Sequence, residues 1–191
     1  MGAVVGIVIF LCILLAIVIG VVAFGIKVYN ELVRLQNAVE NSFSQIDVQL
    51  QRRFDLIPNL VETVKGFAAH EKELLENVTA SRGGFMKATT GEEKMAANQQ
   101  LTSNLRSLFM VAENYPELKA NTNFLKLQEE LSETEDKVQY SRQFYNDAVT
   151  IYNNKREMFP SSFIANMFGF KEEPLFGVQN EAAKEAPQVK F

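Results

Sequence analysis

The residues best suited by type to do chemistry lie in one stretch, QRRFDLIPNLVETVKGFAAHE, residues 51–71. It contains the chain's only histidine, His70, directly before Glu71. A His-Glu pair opens the helical zinc-protease pattern, in which a second histidine four residues on completes the metal site and the glutamate serves as base. Here that fourth position is Leu74. A carboxylate di-metal centre in a helix bundle needs Glu-x-x-His on two helices, which one histidine cannot supply. A serine or cysteine nucleophile has no candidate either: Cys12 lies in an apolar run, and no serine sits in an elbow motif. Gly83-Gly84 lacks the lysine of a phosphate-binding loop. His70 therefore reads as a capping or packing residue near a helix surface. Arg52-Arg53 reads as a solvated pair whose stems cover apolar surface, with Asp47, Asp55 or an anionic partner as counter-charge. No catalytic residue, cofactor or metal site is expected, and the chain is not read as an enzyme.

What must position these residues is set by the distribution of charge. Of 191 residues, none from Met1 to Ile26 is Asp, Glu, Lys or Arg. The rest carries the whole net charge of −4, which argues against a nucleic-acid partner. The run GAVVGIVIFLCILLAIVIGVVAFGI exceeds the roughly 20 residues a helix needs to cross a bilayer. A cleaved signal peptide fits less well, because the start lacks charge and the apolar core is long, although Val21-Val22-Ala23 is a weak cleavage site. Residues 1–27 are thus expected to span the membrane, with lipid as a partner. Lys27 and Arg34 follow the span, so the N-terminus is expected outside and the rest in the cytoplasm; a periplasmic or external placement is the alternative.

Beyond the span, apolar residues keep steps of three and four: Leu32, Leu35, Val39, Phe43, Ile46, Leu50, Phe54, Ile57. A second series runs from Leu60 to Val78 and fades at Arg82-Gly83-Gly84. A third helix opens with a capping box at Thr90 and Glu93 and stops before Pro116. A fourth runs from about Asn121 to Glu157, with an expected face of Phe124, Leu127, Leu131, Val138, Phe144, Ala148, Ile151 and Tyr152. The fold is therefore all-α. Residues 28–158 form either an elongated antiparallel four-helix bundle, Asp55 capping a new helix with Pro58 in its first turn, or a long helical hairpin kinked at Pro58. In both, residues 159–170 return toward the membrane, where a short amphipathic helix with Phe163, Ile164, Met167 and Phe168 either lies at the headgroups or packs across the end of the bundle; Tyr29 sits at the membrane boundary. Residues 171–191 read as an extended tail punctuated by Leu175, Phe176, Val189 and Phe191. Three Tyr-Asn pairs, at 29–30, 145–146 and 152–153, read as structural.

The stretch RRFDLIPNLVETVKGFAAHE, then NYPELKAN (114–121), YSRQFYNDAVTIYN (140–153) and FP (159–160), closely resembles the LemA family. Its motif residues here are Arg52, Arg53, Asp55, Pro58, Asn59, His70, Glu71, Tyr115 and Pro116. The resemblance implies a membrane-anchored helical protein and brings no reaction with it. The expected role is a scaffold that forms a homo-oligomer or recruits partners at the membrane, and Gly2, Gly6, Gly20 and Gly25 fit close helix packing. The alternative is a regulator or adaptor of a membrane enzyme such as a protease.

Overall fold

The computed structural model describes residues 1–176. Residues 177–191, with Pro187, Val189 and Phe191 of the expected tail, lie outside the described residues. The described residues are all-α. The helices are α1 (Gly2–Asp55), α2 (Ile57–Lys65), α3 (Lys72–Lys87), α4 (Gly91–Ala112), α5 (Pro116–Lys119), α6 (Thr122–Glu157) and α7 (Ser161–Phe168). They divide into two compact units, one of residues 1–42 and 144 onward, the other of residues 43–143.

In the first unit, α1 begins as an uninterrupted apolar helix whose side chains from Val5 to Phe24 are exposed all round. It is the one helix among the described residues long and apolar enough to cross a membrane. Polar residues then enter, and burial becomes one-sided at Val28, Leu32 and Val39. The end of α6 packs here through Tyr145, Val149 and Tyr152. Lys155 adds an ion pair to Glu31 at 2.8 Å.

The second unit closes around Ile46, Leu50 and Phe54 of α1, Leu60 and Val64 of α2, Val78 and Phe85 of α3, Leu101 and Leu108 of α4, and Leu131 and Val138 of α6. The Phe54 and Phe85 rings stack with centroids 4.2 Å apart. The capping box forms at the start of α4. The Glu93 amide donates to Thr90 Oγ1, and the Thr90 amide donates back to the Glu93 carboxylate.

Three expectations are corrected. Asp55 does not cap a helix: it is the last residue of α1, its carboxylate accepts from Gln51, and α2 starts after Leu56 without a side-chain cap. Leu56 itself stays in right-handed helical conformation, so the chain steps between helices over one residue, with Pro58 in the first turn of α2. That is where its missing amide costs least. The larger break falls instead at residues 66–71, and α3 runs on through Gly83-Gly84 to Lys87.

The third correction concerns α6. Phe144 and Ile151 are 65% and 56% exposed. The buried positions are Phe124, Leu131, Thr134, Val138, Tyr145, Val149 and Tyr152, and five of them, Phe124, Leu131, Val138, Tyr145 and Tyr152, keep a seven-residue spacing. The expected face holds at Phe124, Leu131, Val138 and Tyr152 and fails at Phe144 and Ile151, where the neighbouring tyrosines face inward. The tyrosines were favoured because their hydroxyls have partners, described below.

Substitutions at this corner separate packing from backbone effects. Phe54→Ala, which empties a fully buried stacked site, is expected to cost about 3–5 kcal/mol. Pro58→Ala at an exposed first-turn position is expected to stay within about 1 kcal/mol. Denaturant titration of the detergent-solubilised chain checks both, and a large stabilisation by Pro58→Ala would instead mean that proline interrupts one continuous helix.

Candidate functional site

The most elaborate polar constellation in the first unit is built from two of the Tyr-Asn pairs. Residues 171–176, KEEPLF, run non-helically along α6, and their backbone is read by side chains. Asn153 Nδ2 donates to the Glu173 carbonyl at 2.8 Å, and the Glu173 amide donates to Asn153 Oδ1 at 3.1 Å. Asn146 repeats the arrangement on Phe176, at 3.2 and 2.9 Å. Tyr152 and Tyr145 donate their hydroxyls to the carbonyls of Lys171 and Pro174, at 2.8 and 2.9 Å.

The spacing explains the fit. Seven residues of helix rise about 10.5 Å, and three residues of extended chain advance about 10 Å. Asn153 and Asn146 are seven apart and take residues 173 and 176; Tyr152 and Tyr145 are seven apart and take 171 and 174. The segment therefore runs antiparallel to α6, in register over two rungs. Two side chains of the segment add contacts: Glu172 pairs with Arg156 at 3.3 Å, and the Phe176 ring lies 4.6 Å from that of Tyr145. Burial, with the Glu173 charge nearby, pushes both phenols above the ordinary tyrosine range. The sequence does carry the signal, a Tyr-Asn pair repeated after seven residues.

At the end of the apolar span, α7 lies against α1. A methyl group on Gly25 would sit 3.6 Å from Ile164 Cδ1. The Tyr29 ring meets Phe168 at 4.8 Å and Phe170 at 5.7 Å. Ser161 and Ala165 are buried, while Phe163, Met167 and Phe168 are exposed, together with Met158 and Phe159 before the helix. Gly169, in the left-handed region at φ 75°, ends α7, and the Phe170 amide reaches back to the Ala165 carbonyl. The extended segment starts directly after this cap.

The remaining sequence-predicted residues fall in the second unit, at separate places. Arg52 is exposed. Arg53 is 3% exposed and is paired not with Asp47 or Asp55 but with Glu135 of α6, while also donating to Asn98 at 2.5 Å and Thr102 at 3.0 Å. The interior between α1, α4 and α6, not a solvated face, receives it, and burial draws its pKa down against the opposing effect of Glu135. Asp47 takes Lys94 instead, at 2.5 Å. Glu71 accepts from the Tyr115 hydroxyl at 2.9 Å, tying the turn before α3 to the turn before α5, where Pro116 opens the helix. Asn59 is exposed on α2, its carbonyl accepting from Thr63. His70 is exposed in the 66–71 turn. Among the described residues, no three His, Cys, Asp or Glu side chains gather to hold a metal ion.

One apolar span joined to a set of further helices among the described residues defines a membrane-associated helical protein. Residues 42–191 match the LemA family, and the chain belongs to it. It is similar to Protein LemA of Metamycoplasma hominis, 26% identical over 148 residues that cover 77% of this chain and 68% of that one. It is also 26% identical over 201 aligned residues to Magnetosome protein MamQ 2 of Paramagnetospirillum magneticum, covering 90% of this chain and 73% of that protein. Magnetosome protein MamQ of Magnetospirillum gryphiswaldense is 25% identical over 174 residues, 78% of this chain and 64% of its own.

The tyrosine environment makes the segment's docking pH-dependent. A phenol whose folded pKa lies above its ordinary value of 10.0 contributes stability that is complete below that value and lost as pH rises through the raised one. Ultraviolet titration should therefore show Tyr145 and Tyr152 ionising late among the five tyrosines. Asn146→Ala/Asn153→Ala should bring both back toward 10.0, while Tyr115, held up by its bond to Glu71, stays late. A titration unchanged by the double substitution would show that the segment does not shield them.

Proposed function

We propose that this chain is a non-enzymatic, membrane-anchored helical scaffold that self-associates and recruits partners at the membrane surface, with its N-terminus outside and residues after Lys27 in the cytoplasm. The observation that carries the reading is the apolar first half of α1. Side chains such as Phe10 and Leu15 are 65% and 61% exposed among the described residues, and lipid is the environment that removes such a surface from water. The apolar side chains of α7 extend that surface at the level of Gly25 and Tyr29, so α7 rests at the headgroups with Phe163, Met167 and Phe168 turned to lipid. Gly25 is taken up by α7 and is no longer free for packing between membrane helices; Gly2, Gly6 and Gly20 face open space. None of the relatives named above carries the name of an enzyme.

A specific observation supports the alternative, an adaptor for a membrane enzyme. Within the first unit, Phe144 and Ile151 of α6 and Met158, the residue after its end, follow at seven-residue intervals and are all exposed. A line of that kind suits an apolar partner helix.

Topology is tested by a cysteine at Asn166 in a Cys12→Ser background. It is expected to resist a membrane-impermeant thiol reagent in intact cells and to react after permeabilisation. Labelling in intact cells would place everything after the span outside and reverse the orientation.

A further inference from the structure

We propose that the Tyr-Asn face of α6 is a receptor for an extended peptide, and that residues 171–176 of a second membrane-anchored copy are its partner in trans. In each isolated chain the face is filled by its own segment. The six hydrogen bonds described above between the side chains of Tyr145, Asn146, Tyr152 and Asn153 and the segment engage its backbone groups. Bonds of this kind depend on an extended conformation and a three-residue register, and they are indifferent to which chain supplies the backbone. Selectivity comes from the Glu172 carboxylate on Arg156 and, four residues on, the Phe176 ring on Tyr145. The ligand class is thus an extended acidic peptide with an aromatic residue four positions after the acid.

The identical segment of a neighbouring copy meets every one of these requirements. Exchange forms the same bonds it breaks, so it creates no new contact and needs only a reorientable joint. The segment starts two residues after Gly169, whose left-handed conformation is open to glycine and to few other residues. Copies confined to one membrane meet laterally at a raised effective concentration. The proposal rests on the anchored-scaffold reading for that confinement alone.

Two complementary variants test it. One copy carries Asn146→Ala/Asn153→Ala, which damages the receptor and keeps the segment. The other ends at Phe170, which removes the segment and keeps the receptor. The two are tagged differently, reconstituted together in vesicles, and recovered in mild detergent through one tag. Exchange predicts that the mixed pair is recovered at least about tenfold more than either variant with itself, since only the mixed pair joins a free segment to an open, intact receptor. Equal recovery of all three pairings would overturn exchange while leaving self-association through another face standing. Recovery of none would overturn it as well.

A second arm uses the unaltered chain, so that misfolding of the truncated copy cannot hide the answer. A fluorescent peptide of sequence FKEEPLF is titrated into the wild-type protein and into the double asparagine variant. Saturable binding to the wild type, weakened at least about tenfold in the variant, is the expected result. Equal binding to both, or binding to neither up to the ~millimolar level at which the cis segment competes, would overturn the proposal.

Discussion

An extended backbone outside a sheet carries a donor and an acceptor at nearly every residue, and once it lies against protein those groups need partners. In this chain the partners are side-chain amides. An asparagine offers one donor and one acceptor side by side, as a neighbouring strand does, and α6 provides two of them at the spacing that three extended residues require. Much of the first unit follows from that match. Burial of Tyr145 and Tyr152 keeps the same edge of α6 against α1, and Lys155 fixes the contact at Glu31. Hydrogen bonding by Lys155 holds the Glu31 carboxyl below its usual range. The cap at Gly169 then delivers the chain into the groove.

The second unit obeys a different rule. Its core is aliphatic and aromatic, and the charge it buries, Arg53, is compensated by Glu135, Asn98 and Thr102. A buried ion pair of this kind adds little net stability over an apolar replacement, but loss of one partner alone leaves a charge stranded. Arg53 thus joins α1, α4 and α6 by a geometric requirement.

How much of this was legible in the sequence depends on whether neighbouring residues decide the outcome. The apolar span needs no tertiary context, and neither does the Thr90 capping box, because both are satisfied locally. The partner of Arg53 lies on a helix 82 positions away (135 − 53), beyond any local pattern. The break at residues 66–71 has no proline to announce it, whereas Pro58 announced one that is a single residue wide. On α6 the spacing led to Tyr152 but also to Phe144 and Ile151, and hydrophobicity alone favours Phe144 over its neighbour Tyr145. Tyrosine wins such a position only when its hydroxyl finds an acceptor, and those acceptors lie in a segment whose composition reads as an unstructured tail. The Tyr-Asn repeat gained its meaning only when that segment was seen against it.

The central claim, that side chains of α6 pair the backbone of residues 171–176, is open to direct measurement by residue-resolved amide hydrogen exchange on the full chain in lipid. Within the segment, the amides of Glu173 and Phe176 should exchange at least about tenfold more slowly than those of Lys171, Glu172 and Leu175, and Asn153→Ala should release Glu173 first. Uniformly fast exchange across the segment, or protection that ignores the asparagine substitution, would contradict the account.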